Sequence, residues 1–169
     1  MTSLLLSERC LYAFMKSGIQ HNVTFASLAE ANCSMCYYAK YPSRTTSANV
    51  TSCAGPFLFV GMRSLDAINF TSGAYAAASE VQKPTPLNSP HLSNGVYWYF
   101  TEGEYFGFLS SPNMSLTGKD VDVFSPNSTL LWSIGLARSH LRSRALEINE
   151  TLHDEKWIFS CPGQILLYF

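Results

Sequence analysis

Alternating apolar and polar positions are clearest between residues 94 and 109, in the stretch NGVYWYFTEGEYFGFL. Two apolar runs flank the turn-like Thr101-Glu102-Gly103. Successive side chains of a strand point to opposite faces, so Trp98 is expected on one face and Tyr97 and Tyr99 on the other. The stretch is therefore predicted to be a β-hairpin with one face in the core and a partly tyrosine face opposite.

Other short apolar runs, bounded by Gly, Pro or Asn, predict further strands. They are PFLFVGM (56–62), INFTSGAYAAAS (68–79, with a bulge or bend at Gly73), TLLWSIG (129–135), EKWIFSC (155–161) and QILLYF (164–169). Residues 82–95 are predicted to be a loop because they are rich in proline. The predicted fold class is mainly β, as an antiparallel β-sandwich or a partly closed barrel.

The first third of the chain is predicted to be less regular. Residues 1–52 are interpreted as a loop-rich N-terminal segment with a short helix, and residues 53–169 as the β-sandwich domain. ANCSMCYYAKYPSRTTSANVTS (31–52) reads as loop because Asn, Ser and Thr cluster there. Glu8 and Arg9 interrupt the apolar start before a signal-peptide core develops, so a fragment or a misplaced start is one interpretation.

Composition narrows the class of protein. Hydrophobic residues make up 47% of the 169 residues and charged residues only 14%, against about 25% charged in a typical globular domain. A net charge of -1 gives no electrostatic reason to expect nucleic acid or an anionic membrane as a partner. No apolar run reaches the length of a membrane span, so none is predicted.

Asparagines concentrate in N-x-[ST] sequons, which are acceptors for N-glycosylation. Seven of the nine asparagines are in such sequons: Asn22, Asn32, Asn49, Asn69, Asn113, Asn127 and Asn149. Ser and Thr together make up 33 of 169 residues, so chance would place about two of the nine asparagines in sequons. The excess predicts passage through the secretory pathway, with sugar replacing charge at the surface.

Five cysteines agree with an oxidising compartment. Structural disulfides are predicted among Cys33, Cys36, Cys53 and Cys161, and a bridge between Cys53 and Cys161 is one guess among several pairings. Cys10 is the expected odd thiol. The C-x-x-C spacing of Cys33 and Cys36 also fits a zinc site or a redox pair, but no second ligand pair follows and the flanking residues read as loop.

Catalytic motifs are absent from the sequence. It contains no H-E-x-x-H, no G-x-S-x-G and no P-loop. Asp120 and Asp122 could contribute to a calcium site, but a solvated loop is the preferred interpretation. The run His153-Asp154-Glu155 is interpreted as a polar turn. No catalytic residue, metal or cofactor is assigned, and the protein is predicted not to be an enzyme.

A basic stripe follows the predicted strand at 129–135. Arg138, His140, Arg142 and Arg144 occupy alternate positions, so an extended chain would place them on one face. A solvated face paired with Glu147, Glu150 and Glu155 is the simpler interpretation. A ligand surface, if one exists, is expected where Tyr97, Tyr99, Arg138, Arg142 and Arg144 meet, because arginine and aromatic side chains hold acidic or sulfated glycans.

Several stretches together resemble an uncharacterised β-domain of secreted or surface proteins from diverse eukaryotes. They are CAGPFLFVG, SGAYAA, NGVYWYFTEGEYFGF, LLWSIG and KWIFSCPG, spread over about residues 53–163. That domain shows a GVYWYF…FGF hairpin and then an LxW strand with a histidine after the tryptophan, where this chain has Ser133 and Ile134. The resemblance implies a β fold and a secretory compartment, and no site residue.

The leading functional hypothesis is a non-catalytic, N-glycosylated extracellular or cell-surface module that builds a coat or filament or mediates adhesion. Its expected partners are further copies of itself, or other extracellular proteins and glycans, because an exposed strand edge can pair with another chain. The apolar terminal run GQILLYF would suit such pairing or a buried last strand. A lectin-like glycan-binding module and a secreted hydrolase are the alternatives.

Overall fold

The computed structural model describes residues 16–40, 43–64, 67–112, 123–125, 127–134 and 154–162. In these ranges the chain is mainly β, with two antiparallel sheets in a sandwich-like fold, as predicted. The elements are α1 (Phe25–Glu30), β1 (Ser34–Lys40), α2 (Ser47–Thr51), β2 (Phe57–Arg63), β3 (Ser72–Ala77), α3 (Ala78–Val81), β4 (His91–Ser93), β5 (Val96–Phe100), β6 (Tyr105–Leu109), β7 (Val123–Ser125), β8 (Thr129–Ser133) and β9 (Glu155–Cys161).

The first sheet has the strand order β1-β9-β2-β3. Its last strand in sequence, β9, lies between β1 and β2, so that Trp157 is opposite Tyr38 on one side and Gly61 on the other. The strand predicted at 155–161 is confirmed. The loop predicted at 31–52 is wrong over Ser34–Lys40, which forms β1. As an edge strand β1 exposes most of its side chains, and this hides the alternation that identifies a half-buried strand.

The second sheet has the order β4-β5-β6-β8-β7. Its centre is the predicted hairpin, now β5 and β6, with Trp98 opposite Phe108. The loop predicted at 82–95 is wrong over His91–Ser93, which pairs with β5 as β4. Asn94 and Gly95 connect these strands with φ of 47° and 82°, the backbone that a two-residue hairpin requires and that Asn-Gly adopts readily.

The main core lies between the two sheets. Leu58, Val60 and Ile158 of the first sheet face Trp98 and Trp132 of the second, all fully buried. Edge-to-face and tilted ring pairs extend through this layer, including Trp98–Phe108 at 5.3 Å and Phe106–Trp132 at 5.6 Å between ring centroids. The apolar face predicted for the hairpin is therefore the inner face of the sandwich.

A second cluster covers the outer face of the first sheet, where Leu28 of α1 packs with Phe59, Phe70 and Phe159. Gly61 and Gly73 make room for it, since an added Cβ would approach the Phe59 ring to 2.7 and 2.3 Å. These glycines face each other in an unbroken register. The bulge predicted at Gly73 is therefore wrong, and the glycine serves close packing instead.

Candidate functional site

Three sequon asparagines are exposed on turns or connecting segments. Asn22 and Asn32 adopt φ of 57° and 58°, a left-handed conformation that asparagine tolerates better than most residues. Asn127 is exposed in the tight turn between β7 and β8, closed by a 3.1 Å hydrogen bond from the Ser128 amide to the Ser125 carbonyl. Such positions leave space around the side-chain amide for an attached sugar.

Asn49 and Asn69 are half-buried. Asn49 is part of a capping box at α2, where its Oδ1 accepts a 2.8 Å hydrogen bond from the Thr46 amide. Its Nδ2, the atom that carries sugar in a glycosylated asparagine, donates no hydrogen bond to any described residue. Asn113 and Asn149 lie outside the described residues.

Asn94, which is not in a sequon, differs in this respect. Its Nδ2 donates hydrogen bonds to the carbonyl oxygens of Lys16 at 3.0 Å and Tyr75 at 2.8 Å. The nitrogen of this asparagine therefore fastens the turn before β5 to neighbouring chain segments. Among the described sequon asparagines, none donates a hydrogen bond from Nδ2, so these nitrogens have no comparable structural role.

Two disulfides join Cys33 to Cys161 and Cys36 to Cys53. The four cysteines predicted to form bridges do so, but the guessed Cys53–Cys161 pair is wrong. Cys33 lies just before β1 and Cys161 ends the adjacent β9, so strand pairing brings their sulfurs together, while α2 brings Cys53 to Cys36. Each cysteine of the C-x-x-C stretch thus bonds to a distant partner. Cys10 lies outside the described residues.

The ligand surface predicted from tyrosines and arginines is wrong at Tyr99. This ring has an exposed fraction of 1% and packs with Tyr105, Leu109 and Leu131 on the outer face of the second sheet. Burial raises the pKa of its hydroxyl. Tyr97 is half-buried. Arg138, His140, Arg142 and Arg144 lie outside the described residues.

Only some of the candidate acid–base groups lie in the described part of the chain. Asp120, Asp122 and His153 lie outside the described residues, while Asp154 and Glu155 are buried, and Glu155 begins β9. The polar turn predicted at 153–155 is therefore wrong at Glu155, whose carboxylate forms an ion pair with Arg63. His91 Nε2 lies 3.2 Å from a Glu80 carboxylate oxygen. In the described ranges, no three His, Cys, Asp or Glu side chains gather in a way that could hold a metal ion.

A fully buried lysine lies at one end of the main core. Lys156 Nζ donates hydrogen bonds to the Ser43 carbonyl at 2.7 Å and to Thr45 Oγ1 at 2.9 Å, and Thr45 Oγ1 is 2.8 Å from the Tyr37 hydroxyl. A hydroxyl next to an amine suggests a nucleophile and its base. However, Lys156 and Thr45 both have an exposed fraction of 0%, so a substrate has no access to them in this structure. The network links the segment after β1 to β9.

Lys156→Ala is expected to lower the free energy of unfolding by about 2–5 kcal/mol, because it removes the donor of two buried hydrogen bonds and leaves a cavity. Lys156→Met keeps the volume and should cost less, about 1–3 kcal/mol for the two acceptors that lose this donor. Denaturant unfolding of both variants measures this, with the exposed Lys83→Ala as a control that should be neutral. A stable Lys156→Ala protein would show that the network contributes little.

An aromatic and charged strip on the outer face of the first sheet was missed by sequence reasoning. It consists of Tyr38 and Lys40 on β1, Trp157 and Glu155 on β9, and Arg63 at the end of β2. The Tyr38 and Trp157 rings are 4.5 Å apart between centroids. The only signal in the sequence is the alternation of Glu155, Trp157 and Phe159, which places these three on one face. Their neighbours depend on strand order.

Comparison with known proteins gave no match to a family model, a curated protein or a solved structure. The resemblance to secreted eukaryotic β-domains therefore stays a prediction. No described helix is long and apolar enough to cross a membrane. Two disulfides are typical of extracellular proteins and agree with the predicted compartment.

Proposed function

We propose that the protein is a non-catalytic, N-glycosylated module of the extracellular space or cell surface, acting as a structural or adhesive component. The observation that carries the proposal is the sequon pattern: seven of nine asparagines are in sequons. Asn22, Asn32 and Asn127 support it further, because they are exposed and donate no hydrogen bond from Nδ2 to a described residue. The two disulfides support the same compartment.

The alternatives receive less support. The surface first expected to act as a lectin loses Tyr99, which is buried on the outer face of the second sheet. For a hydrolase, the hydroxyl–amine pair found among the described residues, Thr45 with Lys156, is fully buried. A structural or adhesive role needs neither feature. It needs an accessible strand edge, and the exposed side chains of β1 are consistent with one.

The native protein is expected to lose mass on enzymatic removal of N-glycans, since the enzyme releases the sugar and converts each modified asparagine to aspartate. Peptide mapping should find this conversion at Asn22, Asn32 and Asn127. Asn88 and Asn94, outside sequons, serve as internal controls. Thiol alkylation should label Cys33, Cys36, Cys53 and Cys161 only after reduction.

Variants that test glycosylation must remove a sequon without disturbing the fold. Thr24 caps α1 by accepting a 2.9 Å hydrogen bond from the Ser27 amide, and Thr129 is buried, so replacing either one would disturb the structure as well as a sequon. Ser34→Ala is the better variant, because its side chain is exposed and the change removes the Asn32 sequon while leaving Asn32, whose left-handed backbone suits asparagine, in place. Ser34→Thr, which keeps the sequon, is its matched control. A native protein with no sugar and with all its thiols free would refute the proposal.

A further inference from the structure

The outer strip contains an aromatic floor next to a charged row. Tyr38 and Trp157 are directly opposite each other on adjacent strands, and Gly61 continues their row on β2 without a side chain. The next row holds Lys40, Glu155 and Arg63. Tyr38 has an exposed fraction of 39%, and Trp157 is half-buried. Tyr38 and Lys40 are thus exposed beside the partly exposed Arg63, while Trp157, packed under Phe25 and Phe70, and the buried Glu155 lie beneath them.

The charged groups are held in place before any ligand binds. Glu155 accepts from Arg63 through both Nε, at 2.7 Å, and Nη2. The Arg63 guanidinium also lies 5.4 Å from the Phe25 ring centre and 6.0 Å from that of Trp157, distances at which cation and ring attract. Arg63 Nη1 donates no hydrogen bond to a described residue, and the Arg63 side chain is 29% exposed. A fixed guanidinium loses little conformational entropy when it binds.

Tyr38 is also held by its neighbours. Its ring is tilted at 53° against Trp157. A hydrogen bond with the Glu155 carboxylate raises the pKa of the Tyr38 hydroxyl, with desolvation and the negative charge of Glu155 acting in the same direction. The ring is therefore held against Trp157, although β1 is an edge strand.

We propose that this strip is a saccharide-binding subsite, in which one face of a pyranose ring packs on the exposed Tyr38 ring, backed by Trp157, while its hydroxyls bond to Arg63 and Lys40. The C–H groups on a pyranose face carry slight positive charge and match the negative face of an aromatic ring. The guanidinium presents several N–H donors in a fixed plane, which suits neighbouring hydroxyl oxygens. Residues two apart on a strand lie about 6.7 Å from each other, so a sugar on the Tyr38 ring can reach the charged row with its hydroxyls.

The polar groups set the ligand class. Lys40 and Arg63 outnumber Glu155, so the strip carries one excess positive charge and tolerates a neutral or an acidic sugar better than a basic one. The surface is open and offers few groups, so one sugar unit is expected to bind with a Kd on the order of 1 mM. Several units along β1 would strengthen binding.

The test uses the full chain after enzymatic removal of its own N-glycans, with cellobiose as the neutral probe and a sulfated heparin disaccharide as the acidic one. Ligand-observed NMR should show saturable binding of at least one probe. Tyr38→Ala should weaken it by about tenfold or more, while Tyr38→Phe keeps the ring and most of the affinity. Leu92→Ala is the matched control, since Leu92 is a 60% exposed side chain on the other sheet and should bind like the original protein.

Each result decides the question. Should Tyr38→Ala fail to fold by its unfolding transition, Lys40→Ala provides the second readout and should weaken the acidic probe more than the neutral one. Absence of saturable binding of both probes would overturn the proposal, as would equal binding by the Tyr38→Ala and Leu92→Ala proteins. Self-association in sedimentation that Tyr38→Ala abolishes, without sugar binding, would identify the strip as a protein interface instead.

Discussion

Replacing Cys33 and Cys161 together by alanine is expected to lower the free energy of unfolding by about 5 kcal/mol, which equals the whole stability of the least stable natural domains. The bridge spans 128 residues, and the loop-closure entropy that it removes from the unfolded chain grows with the length of the loop. It also fixes the start of the edge strand β1 to the end of β9, the strand that lies between β1 and β2 in the first sheet.

The matched control is the Cys36→Ala, Cys53→Ala double variant. Its bridge spans 17 residues, for which the same relation gives about 3 kcal/mol. Denaturant unfolding of the three proteins should therefore rank the original first, this control second and the variant without Cys33 and Cys161 last. Equal losses in the two double variants would show that loop length does not govern the stabilisation here.

Trp98→Ala is expected to lower the free energy of unfolding by about 3–5 kcal/mol. The indole is fully buried between the sheets, packs edge-to-face on Phe108 and donates from Nε1 to the Ser93 carbonyl at 3.1 Å. Its removal leaves a large cavity at the centre of the hairpin and takes one hydrogen-bond donor from the Ser93 carbonyl at the end of β4. Structural failure should therefore precede any loss of ligand binding.

Trp98→Phe separates these contributions, because it keeps a ring against Phe108 and removes only the donor and part of the volume. Thermal and denaturant unfolding of both variants should place Trp98→Phe between Trp98→Ala and the original protein. A Trp98→Ala protein as stable as the original would mean that this layer of the core readjusts without cost, contrary to the packing described above.

Much of the sheet structure was predictable because hydrophobic alternation is a local property of a strand. The strands at 56–62 and 155–161 and the β5–β6 hairpin were all predicted, since each carries its own apolar face. β1 was not, because an edge strand with Met35 and Tyr38 exposed at 52% and 39% has no clean apolar face. β4 was missed because it is only three residues long and follows a proline-rich loop.

The candidate sites also differ in how far the sequence alone predicts them. Sequons and cysteines are read directly from the chain, so the predicted acceptors and the four bridging cysteines needed no knowledge of the fold. The tyrosines were misjudged because the face opposite the main core is also buried in this sheet, which leaves Tyr99 at 1% exposure. The strip around Trp157 depends on three strands that are far apart in sequence.

By itself, the sequence determined that this protein is mainly β, that it carries seven N-glycosylation sequons and that four of its cysteines suit disulfides, because residue type and local spacing decide these properties. Only the tertiary structure decided that β9 inserts between β1 and β2, which pairs Cys33 with Cys161 and sets Trp157 beside Tyr38. Strand order depends on how two sheets share a core, and this is a property of contacts between residues more than a hundred positions apart.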